Sequence, residues 1–300
     1  MGIGDVYDAE GCPDVYYVDT GMYDVEEYGS VYIVDAERPA LVDTGIGTRS
    51  GNILDAMAEV GIEPDELAVI AVTHVHLDHA GGVGHLLAEC PNATVSVHEI
   101  GAPHLVDPER LWEGTKQAVG DQIQYYTEPR PVPDHRIAEL EEGDEIDLGD
   151  HTLEVAHAPG HAPHQVVFYD PAIDGVFTAD AAGIYTPSTD ELHVTSPPVN
   201  FDLDQALADV ETIRAFDPEW LLYAHFGPEP TDDRLEEYDG TLRAWVDAVT
   251  EKRAELPRDD AVVDHFVESV ETPAVWSDHK ARAEVAMNVR GVLAMLDRVE

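Results

Sequence analysis

The chain has 300 residues, of which 44 % are hydrophobic, and its 62 acidic side chains outnumber 16 basic ones to give a formal net charge of −46. Such a hydrophobic content can fill a sizeable core, which excludes a disordered chain. The shortage of lysine and arginine argues against nucleic acid as a ligand, because phosphate groups are bound by clusters of basic side chains.

The acidic residues are spread along the whole sequence rather than gathered in a tail. This distribution favours adaptation to concentrated salt, which screens the repulsion between carboxylates, over a docking surface for a basic partner. The sequence shows neither a long apolar run nor a signal peptide, so we expect no membrane partner and a cytoplasmic location. Cys12 and Cys90 could pair, but two cysteines imply no disulfide framework.

The first 230 residues alternate strand and helix patterns in two similar blocks. Apolar or alternating segments predict strands at residues 15–18, 30–34, 40–42, 67–72, 94–97, 145–148, 153–157, 166–169, 175–178 and 220–224, the last of these being the final strand. Helical periodicity predicts helices at residues 50–60, 81–89, 112–124 and 202–216, and residues 100–140 are otherwise irregular. From residue 231 the pattern is helical only, at residues 233–254, 261–270 and 277–298. We therefore expect an α/β catalytic domain over residues 1–230 and a helical segment over residues 231–300 that caps it or forms a homodimer interface.

A dense group of metal-binding side chains follows the predicted strand at residues 67–72. His74 and His76 are two residues apart at the strand end, so both imidazoles project from the same side. Asp78 and His79 follow where the chain turns into a helix, and they can point back to the same place. Three imidazoles and a carboxylate suit Zn²⁺ or another divalent metal, so the segment predicts a metal site rather than a solvated turn.

The spacing His-X-His-X-Asp-His in residues 74–79 is similar to the metal signature of the metallo-β-lactamase superfamily, and the resemblance covers residues 15–230. It implies an α/β fold, a four-layer αββα sandwich of two mixed β-sheets, with the helical segment as a C-terminal extension. Three later motifs follow predicted strands in the order typical of the superfamily: Pro159-Gly160-His161, Ala179-Asp180-Ala181 and Ala224-His225-Phe226.

The resemblance also implies roles for individual residues. The metal ligands would be His74, His76 and His161 for the first ion, Asp78, His79 and His225 for the second, and Asp180 for both. Asp43, which follows the predicted strand at residues 40–42, would accept a hydrogen bond from a ligand imidazole, the alternative being a plain Asx turn.

These ligands imply a binuclear metal-dependent hydrolase of an ester, thioester or lactone, acting on a small-molecule substrate. Its cofactors would be two divalent ions, with zinc favoured over iron or manganese. A hydroxide between the ions would be the nucleophile, since metal binding lowers the pKa of water to roughly 7. Asp180 would hold the ions together, and Asp78 would orient the hydroxide or carry a proton.

Within the superfamily, the carboxylate at position 180 favours the branch of glyoxalase II and lactonases over true β-lactamases. Three other functions stay open: a mononuclear-iron sulfur dioxygenase, a nuclease, and a regulatory protein that keeps the metal site without turnover. The complete ligand set disfavours the first, and the absence of basic clusters disfavours the second. Outside the motifs, His164 either touches the site or caps the next strand, and Tyr32 and Tyr185 are candidate substrate contacts.

Overall fold

The computed structural model describes residues 2–197 and 200–299. In these residues the strands are, in chain order, β1 (Val6–Asp8), β2 (Val15–Asp19), β3 (Ser30–Val34), β4 (Ala40–Val42), β5 (Val69–Ala71), β6 (Thr94–His98), β7 (Ile137–Leu140), β8 (Glu145–Asp147), β9 (Thr152–His157), β10 (Val166–Asp170), β11 (Gly175–Ala179), β12 (Ile184–Thr186), β13 (Glu191–His193), β14 (Trp220–Tyr223) and β15 (Gly227–Pro230). The α-helices are α1 (Ser50–Glu59), α2 (Leu77–Ala80), α3 (Val83–Glu89), α4 (Ala102–Val106), α5 (Glu109–Val119), α6 (Leu203–Ala215), α7 (Arg234–Glu255), α8 (Asp259–Ser269) and α9 (Asp278–Val299).

The strands form two mixed sheets and a separate hairpin of β12 and β13. The first sheet holds β1 to β7 in sequence order, antiparallel from β1 to β4 and parallel from β4 to β7. The second sheet has the order β15-β14-β11-β10-β9-β8, and only β11 and β14 are parallel neighbours. Two mixed sheets flanked by helices, with a C-terminal helical region, confirm the predicted metallo-β-lactamase fold.

The apolar strands bury side chains on both faces, because each sheet is covered on both sides. Val42, Phe168, Phe177 and Phe226 belong to the cluster between the two sheets. A second cluster joins the first sheet to α1 and α3, and a third joins the second sheet to α6, α7 and α9. The four layers thus follow from apolar surface on both faces of both sheets.

Several predicted boundaries are wrong. The helix predicted at residues 112–124 is α5 followed by a 3-10 turn, because Gly120 adopts a φ of 56° that ends the regular α-helix. The strand predicted at residues 220–224 is not the final one, since β15 follows it and pairs with it. The short elements β1, β7, β12, β13 and α4 were not predicted.

The C-terminal helices pack on the second sheet and share its hydrophobic cluster. The apolar side chains of Val289, Val292 and Leu293 on α9 are buried within the chain. Homodimerisation through this helix and the domain division at residue 230 stay predictions.

Cys12 and Cys90 are both buried and free. Among the helices in the described part of the chain, none has the length and apolar character that crossing a membrane requires.

Candidate metal centre

The seven predicted ligands lie on segments that follow the carboxyl ends of strands. The segment from His74 to His79 follows β5, and His161, Asp180 and His225 follow β9, β11 and β14. The three strands of the second sheet run in one direction, so their ends lie at the same edge. The potential ligand atoms form two groups, each with its atoms within 4.8 Å of one another: His74, His76, His161 and Asp180, and Asp78, His79 and His225. The structure therefore brings all seven residues together in the predicted division, while their binding of metal stays a prediction.

Asp180 belongs to the first group and also lies against the second. Its Oδ2 lies 3.0 Å from Nε2 of His161 and 3.6 Å from Nε2 of His79. Its Oδ1 lies 3.3 Å from Nε2 of His225. One carboxylate therefore faces imidazoles of the first group and of the second, as a bridging ligand must.

Three imidazole nitrogens of the first group converge on one point. Nδ1 of His76 lies 3.1 Å from Nε2 of His74 and 3.0 Å from Nε2 of His161. The other ring nitrogen of His74, Nδ1, lies 3.2 Å from Oγ1 of Thr73, whose hydroxyl donates to Asp43. This arrangement makes Nδ1 of His74 the protonated nitrogen and leaves the lone pair on Nε2.

The two imidazoles of the second group are each oriented by a hydrogen bond from Nδ1. His79 donates to Oδ2 of Asp43 at 2.8 Å, so the predicted hydrogen bond of Asp43 is present. His225 donates to the backbone carbonyl of Tyr28 at 2.7 Å. In the singly protonated ring, each bond leaves the lone pair on Nε2, the nitrogen that faces Asp180. Burial lowers the pKa of His79, but the carboxylates of Asp180 and Asp43 outweigh burial and raise that pKa well above its usual value, so an ion that binds there must displace a proton from Nε2.

Left-handed backbone at two strand ends turns functional carboxylates toward the site. Asp43 has a φ of 63° directly after β4, and aspartate tolerates this region better than most residues. Ala179 has a φ of 49° at the end of β11, where the register against β14 shifts by a residue. Such a bulge re-aims the following side chain, which is Asp180.

The loop that carries His161 is fixed against α6. Gly160 donates its N–H to Oδ2 of Asp209 at 2.7 Å, and a Cβ at Gly160 would overlap the backbone of Ala206. Burial raises the pKa of Asp209 to about 7, although the hydrogen bond from Gly160 opposes the rise. The glycine is therefore required by the close approach of α6.

The donor set fits divalent metal ions on the observations of this structure. Nε2 of His79 is buried and makes no hydrogen bond with any residue that the structure describes. Burial and neighbouring imidazoles hold the pKa of His74 well below its usual value and lower that of His76 to about 4, so both rings are neutral donors. Burial raises the pKa of Asp180, but the surrounding imidazoles outweigh it and hold that pKa well below its usual value. Neutral imidazoles and ionised carboxylates are the ligands that zinc, iron and manganese accept.

The structure also locates the other side chains considered from the sequence. His164 lies beside the site: its Nδ1 accepts from the N–H of Val75 at 3.4 Å, and its ring stacks on His74. Burial and the nearby imidazoles lower the pKa of His164 to about 2. The expectation that Tyr32 and Tyr185 contact substrate is wrong. Tyr32 donates to a backbone carbonyl in the core between the sheets, and Tyr185 donates to Asp190.

A cavity of about 80 Å³ adjoins the two groups of ligands. Its wall is built partly by the loop between β2 and β3, by the segment after α5, and by α9. The lining residues that the sequence analysis missed include Tyr23, Tyr28, Tyr126, Glu284, Met287 and Asn288. One signal was available for two of them, because Lys280, Glu284 and Asn288 recur every four residues along an otherwise apolar face of the last helix.

Comparisons with known proteins agree with the fold. A family profile described as "Metallo-beta-lactamase superfamily" matches residues 25–225. The metallo-beta-lactamase fold-containing protein ST1585 of Sulfurisphaera tokodaii is 27 % identical over 222 residues, which are 72 % of this chain and 79 % of that protein. The crystal structure of ST1585, given as from Sulfolobus tokodaii, superposes with a TM-score of 0.70 and 22 % identity, covering 94 % of this chain and 99 % of the other.

Two relatives with named activities match over shorter stretches. The acyl-coenzyme A thioesterase MBLAC2 of Gallus gallus is 27 % identical over 183 residues, 55 % of this chain and 62 % of that protein. A hydroxyacylglutathione hydrolase of Aeromonas salmonicida is 24 % identical over 148 residues, 48 % of this chain and 46 % of that protein. The chain thus spans less than two thirds of each of these two enzymes.

Proposed function

Because this chain belongs to the metallo-β-lactamase superfamily, we propose that it is a two-metal hydrolase of an ester, thioester or lactone. The observation that carries the proposal is the position of Asp180, whose two oxygens face imidazoles of both ligand groups. Relatives named as a thioesterase and as a hydroxyacylglutathione hydrolase support the reaction class. The proposed cofactors are two divalent ions, with Zn²⁺ favoured by the imidazole-rich ligand set.

The ions, when bound, lower the pKa of water and polarise the carbonyl under attack. Asp180 would hold the two ligand groups at a fixed separation. Asp78 lines the cavity, and burial raises its pKa while His79 and His225 outweigh burial and lower it. An ionised Asp78 in this position can accept a proton and pass it to the leaving group.

Two tyrosines of the cavity wall add a hydrogen-bond donor. The hydroxyls of Tyr23 and Tyr126 contact each other, and they have no other hydrogen-bond partner in the described chain. Burial raises the pKa of both well above the usual value, so both stay protonated. Their mutual hydrogen bond uses one of the two hydroxyl hydrogens, and the second can donate to the oxygen of a substrate carbonyl.

The test is a hydrolysis screen on protein reconstituted separately with Zn²⁺, Mn²⁺ and Fe²⁺, in multimolar KCl because the acidic surface supports a role in concentrated salt. The panel holds acyl thioesters, lactones, simple esters, a phosphodiester and a β-lactam. We expect turnover of one of the first three classes, abolished by a chelator and restored by the metal. Bound metal without turnover of any of these three classes would refute the proposal and favour a sulfur dioxygenase or a regulatory metal protein.

A further inference from the structure

The last helix brings a buried polar stripe to the wall of the metal cavity. Lys280, Glu284 and Asn288 lie four residues apart on α9 and are 1 %, 5 % and 3 % exposed. Burying charged groups is costly unless they are paired and hydrogen-bonded. Three buried polar side chains in an apolar helix face therefore need a structural or functional explanation.

The carboxylate of Glu284 is held in place by three donors. Its Oε2 accepts from the hydroxyl of Tyr28 at 2.9 Å and from the ammonium of Lys280. Its Oε1 accepts from Nδ2 of Asn288 at 3.1 Å. A carboxylate offers about four acceptor sites, so the contacts within the described chain leave one free on a residue that lines the cavity.

Lys280 is placed behind Glu284 rather than in the cavity. Its ammonium lies 3.7 Å from the ring centroid of Tyr28 and 4.3 Å from that of Tyr23, which is cation–π distance. In the described part of the chain, the cavity lining includes Glu284 but no lysine or arginine. The wall that Glu284 forms thus offers a hydrogen-bond acceptor and no cationic side chain.

We propose that Glu284 is a specificity-determining residue that accepts a hydrogen bond from a hydroxyl or ammonium group on the acyl part of the substrate. The inference rests on the proposed hydrolase function and narrows its substrate class to hydroxyacyl or aminoacyl compounds. Lys280, Tyr28 and Asn288 are positioning residues that aim the carboxylate. A purely structural role, in which the stripe only ties α9 to the loop between β2 and β3, is the competing explanation.

The test removes both charges together, because a single substitution would leave the other charge buried and unpaired. The variant is Lys280→Met with Glu284→Gln, in which the amide nearly keeps the shape of the carboxylate. An isosteric residue matters because Glu284 also borders a second cavity of about 360 Å³, which a smaller side chain would join to the first. The matched control is Lys252→Met with Glu255→Gln, which removes an ion pair of α7 in which Glu255 is exposed.

The readout is a ratio that a structural role would not change. We would measure dissociation constants of metal-loaded protein for 3-hydroxybutanoate, 3-aminobutanoate and butanoate, which differ only at the donor, and kcat/KM for the matching thioesters. The wild type and the control should prefer at least one donor-bearing compound about tenfold or more, since the hydrogen bond is charge-assisted. The Lys280/Glu284 variant should lose about tenfold of that preference.

An unchanged preference in the Lys280/Glu284 variant, or none in the wild type, would overturn the role of Glu284. Because the acids bind without turnover, the binding ratio tests Glu284 even if no thioester is hydrolysed and the hydrolase proposal fails. Should the double variant fold poorly, Glu284→Asp retains the charge for Lys280 and withdraws the carboxylate by one methylene. Its melting temperature should fall, because the shorter side chain loosens the contacts with Tyr28 and Lys280 and opens the second cavity. Its preference for donor-bearing acids should fall as well, and a preference that stays at the wild-type ratio would overturn the role of Glu284.

Discussion

Replacing Asp43 with asparagine should weaken one of the two proposed metal sites by reversing a single hydrogen bond. Oδ1 of Asp43 accepts from the backbone N–H of Thr73 at 2.9 Å, and Oδ2 accepts from Nδ1 of His79 at 2.8 Å. The backbone N–H of Thr73 is fixed, so the oxygen of the new amide will face it and the amide nitrogen will face His79. Nδ1 of His79 must then accept rather than donate, which moves the proton to Nε2, the nitrogen required for metal.

The expected loss follows from the role of this hydrogen bond. Removing the partner that orients a ligand histidine typically costs 10- to 100-fold in metal affinity, which is about 1.4 to 2.7 kcal/mol. Backbone strain should not contribute, because asparagine tolerates the φ of 63° at this position as aspartate does. Asp14→Asn is the matched control, since Asp14 has a φ of 61° and is exposed.

The assay is a titration with Zn²⁺ in the presence of a competing chelator, combined with metal analysis of the dialysed protein. We expect the Asp43→Asn variant to keep one ion with wild-type affinity, at the group of His74, His76 and His161, and to bind the second ion 10- to 100-fold more weakly. If Asp43→Asn bound the second ion as tightly as the wild type does, the reasoning would be refuted. An equal loss in Asp14→Asn would refute it as well.

Three further predictions concern the shared ligand, a buried acid and the surface charge. Asp180→Ala should retain the fold but lose the second metal and nearly all hydrolytic activity, and full activity in this variant would refute the two-metal mechanism. Because burial raises the pKa of Asp209 to about 7 from a usual value of 3.8, the free energy of unfolding should fall as pH rises between these values, by about 4 kcal/mol at most. Denaturant unfolding of metal-free Asp209→Asn should lack this fall, whereas exposed Asp204→Asn on the same helix should keep it. With a net charge of −46, the melting temperature should rise between 0.1 M and 2 M KCl, where the screening length drops from about 10 Å to roughly 2–3 Å, and a flat or falling melting curve would count against salt adaptation.

The candidate ligands were predictable partly from local geometry and partly from the family resemblance. His74 and His76 share a side by the period of an extended chain, and Asp78 and His79 lie on the first turn of the helix that follows. His161, Asp180 and His225 each follow a strand with a clear apolar pattern. The pattern explains how each side chain is presented by its own segment, while the resemblance predicted that the distant segments meet, as they do in the structure.

The cavity wall was not predictable in this way, because its contacts join distant parts of the chain. Tyr28 and Glu284 are 256 residues apart in sequence, and Tyr23 and Tyr126 are 103 apart. Tyr32 and Tyr185 were considered instead, Tyr185 because it lies five residues beyond Asp180. The structure places Tyr32 between the two sheets and Tyr185 in the β12–β13 hairpin. Nearness in sequence is a poor guide to which side chain fills a cavity between separate elements.

The polar stripe on α9 is the clearest case of a signal that only the structure could interpret. On a surface helix, a lysine and a glutamate four residues apart are an ordinary exposed pair with little effect on stability. The same spacing on α9 is buried, because the apolar neighbours Val289 and Val292 place this part of the helix against the second sheet and the metal cavity. Because the pair is buried, removing one of its charges alone would leave the other unpaired at a large cost in stability. Glu284 also lines the cavity in which the proposed substrate would bind. The substrate preference of this hydrolase should therefore depend on its C-terminal helix as much as on its metal ligands.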